Sequence, residues 1–416
     1  MGLVREERNN DNRGVGIFVG KLGFYTRTVC FLSLSHAWFE RQEQSATIIR
    51  GEDTDLHGKK MKAMVLKKPG EMTLENLSVP KPKDGEVLIK VSVCGACHTD
   101  LDEFEGRLEA KRPVVLGHQV VGTIAELGKD VTKHKIGDRV GVTWLYSSCG
   151  KCNFCKTGQE NLCESAKWTG KDADGGYAEY MVIGEDYAYP IPKRFSDSQA
   201  APLLCAGVIG YRTLRLADIK KGETIGLYGF GASAHIVIQI IKHKFPDNPV
   251  YAFTKSGGPA SPQSGGRGLA PRLEGREACG KGGHAELAKS LGATWTGISG
   301  EMPPVKLDKI MDFTPVGECV RDALKILNRG GRLVINAIRK ETLIPALDYA
   351  QYLWLEREIK SVANVTRRDA QEFLPLAAQI PIVPTIEEFP LEQANEVLMK
   401  IKHSKLKAAA VLKIGV

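Results

Sequence analysis

The sequence predicts an α/β protein: a β-rich part followed by a doubly wound parallel sheet. Two observations carry this. From Met61 the chain runs through short apolar stretches separated by Gly and Lys turns, and from Ala200 it changes to alternating strands and helices. A third observation is a run of four cysteines on a polar, turn-rich stretch inside the β-rich part, Cys149-x2-Cys152-x2-Cys155-x7-Cys163.

Taken in order, Met1–Lys60 mixes charges (Arg5, Glu6, Glu7, Arg8) with an apolar patch from Val29 to Phe39. That patch is shorter than the roughly 20 apolar residues a membrane span needs. The segment reads as a disordered leader before a natural chain start at Met61-Lys-Ala-Met. Glu86–Val93, Val120–Leu127, Asp138–Val142 and the stretch opening at Gly175-Gly-Tyr-Ala-Glu-Tyr read as strands. Thr224–Tyr228 is then a short strand, Ala234–His243 a helix, Val250–Phe253 a strand and Ala285–Leu291 a helix, with Lys309–Phe313 and Arg332–Ala337 continuing the strands. Ala408–Ile414 is a closing strand. Gly257–Gly283, rich in Gly and Pro with Arg267, Arg272, Arg276 and Lys281, reads as a flexible insertion.

At 416 residues the chain is long enough for two or three domains, each with its own core. Its 43% hydrophobic and 25% charged content is that of an ordinary globular protein. The net charge of +8 is dispersed, and no nucleic-acid motif accompanies it. Ten cysteines, most of them at metal spacing, indicate a reducing compartment, the cytoplasm, rather than a disulfide scaffold.

Thiolates spaced as Cys149, Cys152, Cys155 and Cys163 can fold around one tetrahedral zinc ion. Their surroundings (Gly150, Lys151, Asn153, Lys156, Thr157, Gly158, Gln159) have little to bury, so the metal supplies the ordering energy. A bacterial ferredoxin run closes after three residues and is followed by Pro; here the gap is seven and Glu164 follows. Four thiolates leave no open position, so this zinc is structural and the chemistry lies elsewhere.

Gly229-Phe230-Gly231-Ala232-Ser233-Ala234 follows a strand and opens a helix, the setting in which glycines let a backbone approach a dinucleotide pyrophosphate. NAD enzymes end the next strand with a carboxylate for the ribose 2′-hydroxyl. Here that strand runs into Thr254-Lys255-Ser256, which favours NADP, with NAD the alternative. A catalytic zinc keeps three protein ligands and one open position; the candidates outside the lobe are Cys97, His118 and Cys205.

These residues, in Cys97-His-Thr-Asp, Gly117-His-Gln-Val-Val-Gly, Asp174-Gly-Gly-Tyr-Ala-Glu-Tyr, Cys205-Ala-Gly and Gly229-Phe-Gly together with the four-cysteine run, resemble the zinc-dependent medium-chain alcohol dehydrogenases, particularly their compact bacterial and yeast-like branch. The resemblance runs from Met61 to Val416 with one interruption at Gly257–Gly283. It implies a GroES-like catalytic domain from residues 61–207 and 346–416, a Rossmann domain at 208–345, and a homodimer or homotetramer. It also implies two zinc ions per chain, with Cys97, His118 and Cys205 on the catalytic one. Asp100 would orient His118, and Thr99 would accept the substrate hydroxyl proton. His98 and Lys407 would lie near the pyrophosphate.

Two positions depart from the family pattern. Gln119 stands where many members have Glu after the zinc-binding His. Asp102 stands where a relay His is frequent, and as a relay it predicts a lower pH at which oxidation falls off. The implied reaction is hydride transfer between a small primary or allylic alcohol and the nicotinamide, with Trp144 narrowing the pocket. A polyol dehydrogenase is the alternative within the family, against which Cys205 argues, because those members often replace the third Cys ligand by Glu. A non-catalytic cofactor-binding stress protein is the alternative outside it, and the full set of seven ligands argues against that.

Overall fold

The computed structural model describes residue 56 and residues 58–254, 283–380, 382–406 and 408–414. The expected leader up to residue 55, the bulk of the 257–283 insertion, and Lys255, Ser256 and Lys407 lie outside the described residues.

Among the described residues the β-rich part holds three sheets. In the three-stranded sheet, β1 (Lys60–Lys68) lies between β2 (Glu71–Ser78) and β4 (Val114–Val115). The larger sheet is centred on the eleven-residue β3 (Glu86–Ala96), which pairs antiparallel with β5 (Gln119–Leu127) and, at its start, with β9 (Tyr180–Gly184). β6 (Arg139–Val142) and β10 (Ala188–Pro190) extend it on one side, and β18 (Ala409–Lys413) and β17 (Ile386–Pro390) on the other. A two-stranded ribbon of β7 (Leu145–Ser147) and β8 (Lys167–Trp168) flanks the cysteine run. β3 is apolar almost throughout and is covered on both faces, which explains its near-continuous burial.

The second part is a six-stranded, wholly parallel sheet made of β11 (Ile225–Tyr228), β12 (Val250–Thr254), β13 (Trp295–Ile298), β14 (Leu307–Asp312), β15 (Leu327–Ile335) and β16 (Glu358–Ser361). Its spatial order is β13-β12-β11-β14-β15-β16, the 3-2-1-4-5-6 order of a dinucleotide-binding doubly wound sheet. Among the described residues the helices longer than one turn are α1 (His98–Phe104), α2 (Ala206–Ala217), α3 (Ala232–Lys244), α4 (Gly283–Ser290), α5 (Glu318–Ile326), α6 (Arg367–Gln379) and α7 (Ala394–Lys402). One apolar core fills the β-rich part. A second runs from Val93 and Val121 through Leu203, Val208 and Val237 to Met311 and Phe373, so it is shared by both parts. A third lies on the opposite face of the parallel sheet, around Phe253, Ile310 and Leu324.

Two expectations need correction. The strand expected from Gly175 begins only at Tyr180. Before it, the Gly175, Gly176 and Tyr177 amides donate to the carbonyls of Val115, Gly117 and Leu116, so this segment braces the loop that carries His118. The boundary expected at 345–346 falls too early, because β16 at Glu358–Ser361 pairs in parallel with β15. Its four residues are all exposed, so it lacks the apolar run that marks an inner strand. Among the described residues no helix is long and apolar enough to cross a membrane.

Candidate active site

Cys97 is the N-cap of α1, and its sulfur accepts the Thr99 amide at 3.3 Å. The Asp100 carboxylate completes a capping box by accepting the Cys97 amide at 2.8 Å. Its other oxygen lies 3.1 Å from His118 Nδ1. One buried carboxylate thus starts a helix and orients an imidazole. With Nδ1 turned to Asp100, Nε2 faces the thiols, 3.5 Å from Cys97 Sγ and 3.4 Å from Cys205 Sγ. The two sulfurs are 4.0 Å apart. Cys205, 108 positions from Cys97, is the N-cap of α2.

His118 is aimed by its neighbours. Gly117 has φ +95°, and a Cβ there would lie 2.4 Å from the Tyr177 ring, so only glycine lets the loop pass. The Trp144 ring stands 6.0 Å from the imidazole and packs on Trp168 at 5.3 Å. Thr99 is buried one residue before Asp100, and Gln119 is buried at the start of β5, opposite Gly95. Burial pushes the His118 imidazole toward its neutral form, but the Asp100 carboxylate and the Cys97 thiol outweigh it and hold its pKa well above the ordinary value. Its contact with Cys205, and then burial, push the Cys97 thiol well up. A divalent cation at this position would instead favour the thiolate and the neutral imidazole.

The donor atoms also fit such a cation. A tetrahedral zinc with bonds of about 2.0–2.3 Å sets its ligand atoms about 3.5–3.8 Å apart, close to the spacings within this trio. The four-cysteine set converges likewise, with all its sulfurs within 4.8 Å and Cys149 Sγ 3.9 Å from Cys155 Sγ. The Lys151 and Cys152 amides directed at Cys149 hold its thiol down at about 6, the backbone support a metal thiolate needs.

The dinucleotide turn has the expected strand–turn–helix form. Gly229 has φ +78°, Phe230 and Ala234 are buried, and Gly231 is the N-cap of α3. That helix begins at Ala232 without a side-chain cap, so its first amides point at the end of the sheet where an anion would sit. Thr254 closes β12 as a buried residue, with no carboxylate at that position. His98 is exposed on the first turn of α1. Asp102 accepts Arg107 Nε at 2.7 Å and Arg339 Nη2 at 3.0 Å.

Sequence reading missed Glu103. In a run as acidic as Asp100-Leu-Asp-Glu-Phe-Glu it passes for solvated, yet α1 buries six of its seven residues and Glu103 is 0% exposed. Among the described residues its carboxyl oxygens make no hydrogen bond of good geometry, and the Trp144 indole N–H is the donor beside them. Burial, and then the Asp100 carboxylate, push its pKa from 4.5 up to about 8. The only sequence signal was its position one turn after Asp100. The native state therefore binds this proton more tightly than the unfolded chain does. The associated stability is complete below about pH 4.5 and is lost as the pH rises through about 8. Melting temperatures across that window should fall more for the wild type than for Glu103→Gln; parallel curves would refute this.

Comparison with known proteins gives concordant results. Residues 83–193 match the alcohol dehydrogenase GroES-like domain. The chain is 40% identical over 365 residues to the protein named "Probable alcohol dehydrogenase AdhA" of Mycobacterium tuberculosis (strain CDC 1551 / Oshkosh), covering 85% of this chain and 97% of that one. It is 34% identical over 375 residues to an alcohol dehydrogenase of Geobacillus stearothermophilus, covering 85% and 100%. A cinnamyl alcohol dehydrogenase structure from Sorghum bicolor superposes with a TM-score of 0.72 at 26% identity, over 86% of this chain and 98% of that one. The chain therefore belongs to the zinc-dependent medium-chain alcohol dehydrogenase family and is an oxidoreductase of alcohols and aldehydes.

Proposed function

We propose that this chain is an NADP-preferring alcohol dehydrogenase or aldehyde reductase for small primary or allylic substrates, with two zinc ions per chain. The observation that carries the proposal is the convergence of Cys97, His118 and Cys205 at tetrahedral edge spacing, with Asp100 behind the imidazole. When bound, zinc supplies Lewis-acid polarisation of the substrate oxygen, and the nicotinamide supplies or accepts the hydride.

The remaining work falls to the chain's own residues. Asp100 holds the proton at His118 Nδ1 and so keeps Nε2 directed at the metal position. Thr99, buried on the same helical turn, takes the hydroxyl proton of the alcohol and passes it outward. The Trp144 and Trp168 rings wall the pocket, exclude water and favour a flat or narrow substrate. Gly229, Gly231 and the first amides of α3 bind the pyrophosphate, with His98 and Lys407 contributing charge. Thr254, Lys255 and Ser256 receive the 2′-phosphate, where a carboxylate would repel it. Cys149, Cys152, Cys155 and Cys163 hold the second, coordinatively closed zinc. The exposed edge strand β16 suits pairing with a second copy, in a homodimer or in a homotetramer of two such dimers.

A kinetic panel of aldehydes, with NADPH and NADH in parallel, tests cofactor and substrate class together. NADPH is expected to give the higher kcat/KM by about tenfold or more, since one lost charge-assisted contact to phosphate is worth about 1.5–3 kcal/mol. Equal or better use of NADH would overturn the preference, and oxidation of polyols ahead of simple alcohols would overturn the substrate class.

A further inference from the structure

Asp102 and Arg339 stand 237 residues apart in the chain and meet where α1 faces the loop after β15. Arg339 Nε donates to Asp102 Oδ2 at 3.3 Å, and Nη2 donates to Oδ1 at 3.0 Å. Asp102 belongs to α1, which begins at Cys97 and carries Thr99 and Asp100. Arg339 belongs to the loop leaving the C-terminal end of β15.

That loop is stitched to the parallel sheet. Lys340 Nζ donates to the buried Asp312 and to the Thr314 carbonyl, both at 2.6 Å. The Glu341 amide donates to the Pro315 carbonyl at 2.7 Å. Thr342 Oγ1 accepts the Gly317 amide and donates to Glu318, each at 2.8 Å. Arg339 is therefore presented by backbone that moves with the sheet. The carboxylate it reaches is equally fixed. Arg107 donates to Asp102 Oδ1 at 2.7 Å and pairs with Glu105, which also takes Lys402 at 2.7 Å. A planar guanidinium placing two N–H groups on two oxygens sets orientation as well as distance, which a single-point contact does not.

In a sheet of this order a dinucleotide lies outside the C-terminal ends of the strands, which is the side where the Arg339 loop faces α1. We propose that Arg339 is a positioning residue which, through Asp102, draws the parallel sheet against α1 and holds the two together over the bound dinucleotide. The inference rests on the cofactor reading above. It gives Asp102 the part of a strut, in place of the proton relay that its position suggested, since both of its oxygens accept N–H groups.

The test is equilibrium binding of NADPH and NADH, followed by nicotinamide fluorescence at low and high salt. It uses zinc-loaded wild type, Arg339→Gln, Arg339→Lys, Asp102→Asn and the Arg339→Gln/Asp102→Asn double variant. Each neutralising single change is expected to weaken binding about three- to fivefold at low salt, the range of a half-exposed pair. The double variant should bind no more weakly than either single one, because all three remove the same interaction. The wild-type advantage should shrink as salt rises. Arg339→Lys, which keeps the charge and loses the fork, should fall between. Amide exchange of α1 in the dinucleotide-free protein should quicken in Arg339→Gln, and the pH profile of turnover should be unmoved in Asp102→Asn.

Unchanged binding in Arg339→Gln, additive losses in the double variant, or a displaced pH profile in Asp102→Asn would each overturn the strut. A wild-type chain that binds neither dinucleotide would overturn the cofactor reading with it, so the two failures are distinguishable.

Discussion

Cys97→Ser is expected to give a folded chain that holds one zinc instead of two and turns over about 10²–10³-fold more slowly or worse, the scale of losing the main electrostatic stabiliser at a reacting oxygen. Folding survives because serine is among the best helix N-caps and can accept the Thr99 amide as the sulfur does. The metal does not survive, because a serine hydroxyl resists deprotonation and is too short to replace a thiolate. His118 and Cys205 then remain as two ligands, below the three that a catalytic zinc retains. Metal content per chain, melting temperature and kcat/KM separate these effects. Two zinc ions per chain, or undiminished turnover, would sink the assignment.

Asp369→Ala is expected to be the most damaging single change far from the chemistry. Asp369 is 0% exposed and accepts from Arg212 Nη1 at 2.9 Å, Thr366 N–H at 2.8 Å and Thr366 Oγ1 at 2.7 Å. It is also the N3 member of the capping box that starts α6, and it pairs with Arg215. Removing it leaves the Arg212 guanidinium buried without its carboxylate, a loss of about 3–5 kcal/mol. Arg215 adds less, being 31% exposed and able to reach water.

The damage should spread to the cysteine lobe. Arg212 Nη2 also donates to Asn161 Oδ1 at 3.3 Å, and Asn161 in turn donates to the Ala363 carbonyl at 2.6 Å. Urea unfolding should show a lower midpoint for Asp369→Ala, with Asp369→Ala/Arg212→Met recovering much of the loss because no unpaired charge remains. No recovery in the double variant would mean that the helix cap, and not the buried charge, carries the effect.

The sequence makes legible the parts whose chemistry depends on residue type at fixed spacing. The four-cysteine lobe closes within fifteen positions, and the Gly229-Phe-Gly turn sits between a visible strand and a visible helix. The convergence of Cys97 and His118 with Cys205 was legible only through family resemblance, since no local pattern brings residues so far apart together. Three features were illegible for identifiable reasons. β16 is an exposed edge and carries no apolar signal. Glu103 is a charged residue buried by its neighbours on a short helix, which its own type argues against. The reach of Arg339 to Asp102 depends on how the β-rich part and the parallel sheet meet, which no periodicity encodes.

The two cysteine-bearing centres also differ in how early they can assemble. In the lobe, Cys149 and Cys163 are 14 positions apart. In the open set, Cys97 and Cys205 are 108 apart, and the difference in loop-closure entropy is roughly 2 kcal/mol. On a chain emerging from the ribosome, the lobe can take up metal as soon as its last cysteine is clear, guided by local turns alone. The open trio must wait for Cys205, by which time the helix capped by Cys97 and the loop that aims His118 are already available. With zinc at both sets, loading would be ordered in time: the local lobe first, and the Cys97, His118 and Cys205 set only once most of the β-rich framework has been synthesised.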